Sequence, residues 1–358
     1  AFFLASVLVS LHASGTEPEQ IHIAFAGKDS HGAPDGMRVA WYTADKPSSP
    51  STVRYGTVPG VYKEFVNSTV SPHVYFEGKG HGYHHVVEVT GLAPSTTYYY
   101  VVGGVSGGWS EEWQFVTPPS GRAADTASIS MAIFGDMGFE DSETRPMWIT
   151  FASLVEHWSA TVSRDRLLAL RNSFDAIWHL GDLGYADDAF AHDPLQFVYE
   201  KVYNGFMNWI QDLSATKPYM VTPGNHESEC HGLWCSVLDY WGTQLSNFSA
   251  FNARWHMPAA ESGGHPGSSM WYSWNWGPVH FVSINTETDW DGAEERDTGS
   301  EHDFRLPAGH FGADGEYLRW LEADLKAAAQ VKAESIKGGP GQRWIVVGGH
   351  RPWEGIRG

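Results

Sequence analysis

Between residues 18 and 117, apolar and polar positions alternate in short runs and no helical period develops. Strand candidates fall at 20–26, 37–43, 51–56, 83–90, 96–103 and 111–117, rich in Val, Ile, Tyr and Thr and separated by turn residues. Roughly 100 residues with strands at this spacing predict an antiparallel β-sandwich. Within it no cluster of acids, Cys or His is placed to do chemistry, so the segment reads as a structural or positioning domain. Pro118-Pro119-Ser120-Gly121 and the residues to 127 read as a linker. After it the pattern changes. Apolar runs at 128–135, 174–181, 218–222, 270–276, 278–284 and 343–347 predict strands, and 146–172, 195–213 and 316–333 predict helical stretches. In the last of these, Leu318, Leu321, Leu325 and Ala328 mark one apolar face. Alternation of strand and helix over 128–358 predicts an α/β domain, whose ligands bind beyond the carboxyl ends of the strands.

Composition changes this picture in two ways. Lys+Arg number 23 against Asp+Glu 42, a net charge of −19, so neither nucleic acid nor an anionic membrane is an expected partner. Hydrophobic residues at 42 % with 17 Trp are enough for sizeable cores. The apolar run 1–11 is shorter than the ~20 residues of a membrane span and fits the core of a secretory signal peptide, with 1–15 its remnant and a buried first strand the alternative. Asn67-Ser68-Thr69 and Asn247-Phe248-Ser249 are glycosylation sequons. Cys230 and Cys235 are the only cysteines. In an oxidising compartment they would close a small disulfide loop. A pair of zinc ligands is the rival reading, without a second Cys/His pair to complete a structural site. Secretion, or an acidic vacuole- or lysosome-like compartment, is the expected location. The chain stops eleven residues beyond the strand-like run 343–347, which reads as a fragment of a longer polypeptide.

Four predicted strands end in the same kind of chemistry: Gly135-Asp136-Met137-Gly138, Gly181-Asp182-Leu183-Gly184-Tyr185, Gly224-Asn225-His226-Glu227 and Val347-Gly348-Gly349-His350. The glycines let the chain turn sharply and project a polar side chain over the sheet edge. A single Asp after a strand is commonplace as a helix cap. Two Asp, an Asn-His pair and a His at the strand ends of one domain suit a transition-metal site, and several convergent loops suit two metals.

In this order the four motifs, GDxG, GDxxY, GNHE and VxxH, resemble the metallophosphoesterases, and the Tyr three residues after the second Asp resembles the purple acid phosphatases. Trp271-Tyr272-Ser273, the run 277–282 and Ile284-Asn285-Thr286-Glu287 are similar to the same family. The turn 91–98 resembles the approach to a late strand of fibronectin type III domains, where the Tyr hydroxyl satisfies the sheet corner. The resemblance implies a fibronectin III-like sandwich followed by an α/β/β/α metallophosphoesterase domain. It implies that Asp136 binds iron, that Asp182 bridges both metals, that Tyr185 is a phenolate on Fe(III), and that Asn225 and His350 bind a second Zn, Mn or Fe. It implies that His226 contacts phosphate and protonates the leaving group. The implied activity is that of an acid phosphatase hydrolysing phosphate monoesters with a metal-activated hydroxide, in a family whose members often form homodimers.

The family's later GHxH motif is not found. Gly264-His265-Pro266-Gly267 and Gly309-His310-Phe311-Gly312 lack its second His, and Gly349-His350-Arg351-Pro352 fits the VxxH segment instead. The expectation is that the two further ligands lie beyond Gly358 and that residues 1–358 alone bind metal weakly and are poorly active. Two alternatives stand beside the phosphatase: a phosphodiesterase or nucleotide pyrophosphatase on the same scaffold, and a non-catalytic binding protein with a degenerate phosphatase domain. The loops that would select a substrate, such as 286–312, carry no readable signature.

Overall fold

The computed structural model describes residues 15–75, 82–139, 151–188, 198–228, 245, 247–291, 293 and 310–352. The run 1–14 and the pair Cys230 and Cys235 lie outside the described residues. Strands β1 (Glu19–Ala26), β2 (Gly36–Thr43) and β5 (Tyr83–Val89) form one antiparallel sheet in the order β1-β2-β5. Strands β3 (Thr52–Gly56), β4 (Glu64–Asn67), β6 (Thr97–Gly104) and β7 (Gly108–Trp109) form the second, in the order β4-β3-β6-β7, and β8 (Trp113–Val116) also pairs with β6. Ile21, Ile23, Phe25, Trp41, Val53, Val87, Tyr100, Val102 and Phe115 fill the space between them. Alternate positions supply these residues, because successive side chains of a strand point to opposite faces.

The sequence pattern did not mark β4. Its Glu64, Phe65 and Asn67 are exposed at a sheet edge, so burial imposes no alternation there. The corner expected at Tyr98 is present: its hydroxyl accepts a hydrogen bond from the backbone N–H of Ala93 at 3.0 Å. Strand β1 is buried on both faces. Its second face meets the other domain, where Ser214 donates to the carbonyl of Ile21 (2.9 Å) and the Ile21 N–H donates to Gln211 (2.8 Å).

Among the described residues the second domain holds two three-stranded sheets. Strands β9 (Met131–Phe134), β10 (Ala176–Leu180) and β11 (Tyr219–Thr222) are parallel, in the order β11-β10-β9. Strands β12 (Tyr272–Trp276) and β13 (Val279–Ser283) are antiparallel, and β14 (Trp344–Gly348) runs parallel to β13. The sheets face each other across Trp178, whose ring stands edge-on to Trp274 (5.1 Å) and Phe281 (5.9 Å). Thr222 and Ser283 share a hydrogen bond of 2.8 Å across the same gap. At Gly348 a Cβ would lie 2.5 Å from the Trp178 ring, so only glycine lets β14 approach.

Among the described residues the helices are α1 (Gly121–Ala124), α2 (Phe151–Ala169), α3 (Tyr199–Trp209), α4 (Gln211–Ser214), α5 (Ser249–Arg254) and α6 (Glu316–Ile336). Helix α3 brings Phe206 beside His179 of β10. Helix α6 covers the other sheet, with Asp324 bonded to His280 (2.8 Å) and Ser273 (2.6 Å). The apolar face expected for this helix packs inward through Leu321, Leu325 and Ala328, and departs from expectation only at Leu318. Leu318 is 48 % exposed, whereas Tyr317 and Trp320 are buried and join Ala328 against the sheet. The two aromatics bury more area and also bond the backbone, Tyr317 to Asn285 O (2.9 Å) and Trp320 to Ser262 O (3.0 Å). No helix among the described residues is long and apolar enough to cross a membrane.

Candidate metal centre

The four motif-bearing loops follow β9, β10, β11 and β14. Asp136, Asp182 and Tyr185 have left-handed backbones with φ of 56°, 52° and 51°. Side chains other than glycine adopt this conformation at a cost of roughly 1–3 kcal/mol, so surrounding contacts must hold it. Here the loops after β9 and β10 are zipped together, Asp136 N to Gly181 O (3.1 Å) and Gly138 N to Leu183 O (3.0 Å). Gly181 sits where a Cβ would stand 2.7 Å from the His350 ring and 2.8 Å from the Gly224 Cα. Three of the loops therefore touch through that one position.

One ligand atom each from Asp136, Asp182 and His350 lie within 4.8 Å of one another. Asp136 is exposed and Asp182 is buried, so the cluster reaches from the sheet edge to solvent. The Tyr185 hydroxyl donates to Asp136 Oδ1 (3.2 Å). His350 Nδ1 meets the carbonyl of Leu180 (2.9 Å), which places its proton there. Nε2 is left facing Asn225 Oδ1 (3.2 Å) and Asp182 Oδ2 (3.3 Å). This is how a ligand imidazole is oriented: one nitrogen is fixed on an acceptor and the other is aimed at the cation. The five positions Asp136, Asp182, Tyr185, Asn225 and His350 thus form one chain of contacts.

His226 lies beside them. Its Nδ1 is 2.7 Å from Asp187 Oδ2, its Nε2 is 3.8 Å from Asp182 Oδ2, and its ring is 4.2 Å from that of Tyr185. His265 and His310 have other neighbours, Glu316 at 3.6 Å and Asp289 at 3.9 Å. A cavity of about 620 Å³ between the two domains opens at Ser128, Asp175 and Lys217, which precede β9, β10 and β11, at the opposite end of the strands.

The charges of the site fit cations. Burial pulls His350 down, but the hydrogen bond and charge of Asp182 outweigh it and push its pKa up to about 9. Burial favours the neutral form of Asp182, yet the hydrogen bond from His350 and the charges of both imidazoles hold its pKa below the usual value. Burial and the carboxylates of Asp182 and Asp136 drive the Tyr185 phenol far above its ordinary range. A multivalent cation among the same groups reverses that order and makes a phenolate the favoured form. Two carboxylates, a phenol, an amide oxygen and an imidazole are the hard and borderline donors that iron, zinc and manganese take.

Two residues of this neighbourhood escaped sequence reasoning. Asp187 is fully buried against His226, delivered by the 3₁₀ turn Ala186–Asp188. Its spacing of two from Tyr185 was the available signal, and the adjacent Asp188 masked it. Glu227 stands in the quoted Gly-Asn-His-Glu segment, but nothing in its spacing indicates what its carboxylate touches. It accepts the N–H groups of Asp182 (2.8 Å), Leu183 (2.8 Å) and Gly224 (2.9 Å).

Comparison with known proteins agrees with this geometry. The family model described as "Purple acid Phosphatase, N-terminal domain" matches residues 18–117, and "Calcineurin-like phosphoesterase" matches 129–358. Purple acid phosphatase 22 of Arabidopsis thaliana is 30 % identical over 347 residues, covering 97 % of this chain and 60 % of that protein. Acid phosphatase type 7 of Danio rerio is 31 % identical over 345 residues, covering 94 % and 59 %. A purple acid phosphatase from yellow lupin (Lupinus luteus) seeds has a TM-score of 0.60 at 20 % identity, covering 93 % of this chain and 50 % of that one, a likeness of fold. The chain spans about 60 % of the length of these curated relatives. Strand-end motif geometry and family matches together place the chain in the calcineurin-like phosphoesterase family, built on the purple acid phosphatase plan with its N-terminal domain.

Proposed function

We propose that the protein is an acid phosphatase that hydrolyses phosphate monoesters at a binuclear, iron-containing centre. The observation that carries this reading is the convergence of Asp136, Asp182 and His350 within 4.8 Å at the ends of three strands. Asp136 and Tyr185 hold the Fe(III) side, Asn225 and His350 hold a second ion (zinc, manganese or iron), and Asp182 serves both. When bound, the metals supply Lewis acidity toward the phosphate and lower the pKa of water to near neutrality. His226, anchored through Nδ1 on Asp187, holds a phosphate oxygen and delivers a proton from Nε2 to the leaving oxygen. The names of the curated relatives favour a phosphatase over a diesterase.

The test uses protein expressed from the complete gene. Metal content is measured, and p-nitrophenyl phosphate is compared with its bis-ester in mildly acid buffer, for wild type and Asp182→Ala. Iron with a second metal, a preference for the monoester, and loss of turnover by at least about 10³-fold in the variant are expected. A protein free of transition metal, or an Asp182→Ala variant with undiminished turnover, overturns the reading.

The reading extends to setting. Domain limits of 18–117 and 128–358, joined by 118–127, an extracellular or acidic-compartment location, a Cys230–Cys235 disulfide and a homodimer are proposed with it. Asn67 and Asn247 are exposed, which supports both as glycan acceptors. Glycosidase treatment followed by mass measurement tests those two sites.

A further inference from the structure

Glu227 is buried at 4 % exposure, and its surroundings are unusual for a carboxylate. Among the described residues its hydrogen-bond donors are three backbone N–H groups. Oε1 accepts from Leu183, and Oε2 accepts from both Asp182 and Gly224. Two of these donors belong to the loop after β10 and one to the loop after β11. A single side chain therefore ties the loop carrying Asp182 to the loop carrying Asn225. The same junction is tightened from the other side, where Asp182 Oδ1 accepts the N–H of His226 at 3.1 Å. No slack exists between the loops: a Cβ on Gly224 would lie 2.3 Å from Asp182 Oδ1 and 3.1 Å from Glu227 Oε2.

We infer that Glu227 is a positioning residue which sets the separation between Asp182 and Asn225, and so the spacing of the two cation positions. The inference rests on the proposed metal centre and adds a residue to which that reading gives no role. Asp182 is held in a left-handed backbone, φ 52°, and its own N–H would be a buried orphan without Glu227. Released from the carboxylate, the Asp182 peptide is free to relax toward an ordinary conformation, which swings its side chain away from Asn225. All three neighbours are donors, so the site requires an acceptor at both oxygens. Glutamine is nearly the same size but turns one of those oxygens into an NH₂ that meets an N–H head-on.

The test compares wild type, Glu227→Gln and Glu227→Asp in the complete protein stripped of metal. Zn²⁺ binding is measured by competition with a chromophoric chelator, unfolding is followed without metal, and the tyrosinate–iron absorption is recorded after Fe(III) loading. Glu227→Gln is expected to weaken Zn²⁺ binding by about 10–100-fold and to displace the visible band. Glu227→Asp keeps two acceptor oxygens on a shorter arm. It is expected to fall between the two and gives the answer if the glutamine variant does not fold. Wild-type metal affinity and spectrum in a folded variant overturn the inference. So does a variant whose metal-free stability falls while its metal affinity does not, since that is a purely structural role. A wild type that takes up no metal instead overturns the reading of the site itself, which separates the two failures.

Discussion

Histidines of the two domains meet opposite surroundings. In the sandwich, His85 is buried, stacks on Trp41 with ring centroids 5.0 Å apart, and bonds the hydroxyls of Thr43 (2.8 Å) and Ser51 (2.7 Å). Burial alone pulls its pKa down to about 4. In the phosphoesterase domain, His350 is partly buried too, but its outer nitrogen faces the carboxylate of Asp182 and its pKa is pushed up to about 9. Burial acts in the same direction on both rings; the group across from each decides the outcome. A hydroxyl leaves an imidazole as a neutral packing element. A carboxylate makes it a charged or ligating one. The backbone separates the domains in the same way. Among the described residues, three of the eight non-glycine positions with positive φ are Asp136, Asp182 and Tyr185.

That contrast makes stability depend on pH through the seam between the domains, and this is the largest effect expected. His22 of β1, His73 before β5, His84 of β5 and His256 after α5 gather there. All four have lowered pKa values with burial as the leading cause, and His256 reaches about 3. The charged and titratable groups facing them are Arg254, Glu200, Arg38, Tyr42 and Tyr75. The folded-state pKa lies below the unfolded value near 6.5, so these rings are neutral when folded and take up protons on unfolding. Their stabilisation is complete above that value and is lost as pH falls toward the folded pKa. Each such ring contributes a slope of about 1.4 kcal/mol per pH unit. Denaturant unfolding of metal-free protein is expected to show a loss of several kcal/mol between about pH 7 and pH 5, shallower in His84→Phe. Equal stability at both ends of that range would break the comparison.

Arg254 tests the seam from its charged side. The guanidinium is fully buried, 3.0 Å from both Glu200 and Asn204, bonded to the Tyr75 hydroxyl and lying over the ring of Tyr203 at 4.2 Å. Tyr75 also donates to Glu200, so the three form a closed triangle. Removing one partner strands a buried charge. Arg254→Met is expected to lower unfolding free energy by about 3–5 kcal/mol, and R254M/E200Q to recover part of that loss. A double variant no better than the single would mean that lost packing, not charge, dominates.

Much of this architecture was legible because burial writes itself into hydropathy. The strands of the sandwich core and the strands that carry the four motif loops were readable as apolar runs, and the Tyr98 corner through its resemblance to fibronectin type III domains. What stayed hidden depends on three-dimensional juxtaposition. Strand β4 lies at an edge and has no buried face to enforce a pattern. Helix α6 keeps Leu321, Leu325 and Ala328 on its inner face but adds Tyr317 and Trp320 in place of Leu318, because these two combine bulk with a hydrogen-bonding tip, which a count of Leu does not weigh. The ligand candidates could be recognised because glycines and strand ends bracket them. Asp187 and Glu227 could not, since their partners are 39 and about 45 residues away in sequence.

The smallest effect concerns Asp187 and bears most directly on what distinguishes His226 from the histidines of the sandwich. Asp187 is fully buried, 2.7 Å from His226 Nδ1, and does not belong to the chain of five contacts proposed to hold metal. Its carboxylate does what the hydroxyls beside His85 do not: it can only accept, so it fixes the imidazole proton on Nδ1 and leaves Nε2 turned toward Asp182. Asparagine keeps the shape and reverses that preference if its NH₂ turns toward the ring. Asp187→Asn is expected to lower kcat toward p-nitrophenyl phosphate by about 100-fold, near 2.7 kcal/mol of barrier, with metal content unchanged. A substrate with a more acidic leaving alcohol needs less protonation, so the deficit should shrink as leaving-group pKa falls. A deficit of equal size for every leaving group would assign Asp187 to orienting the phosphate through His226, and would leave proton delivery to another group.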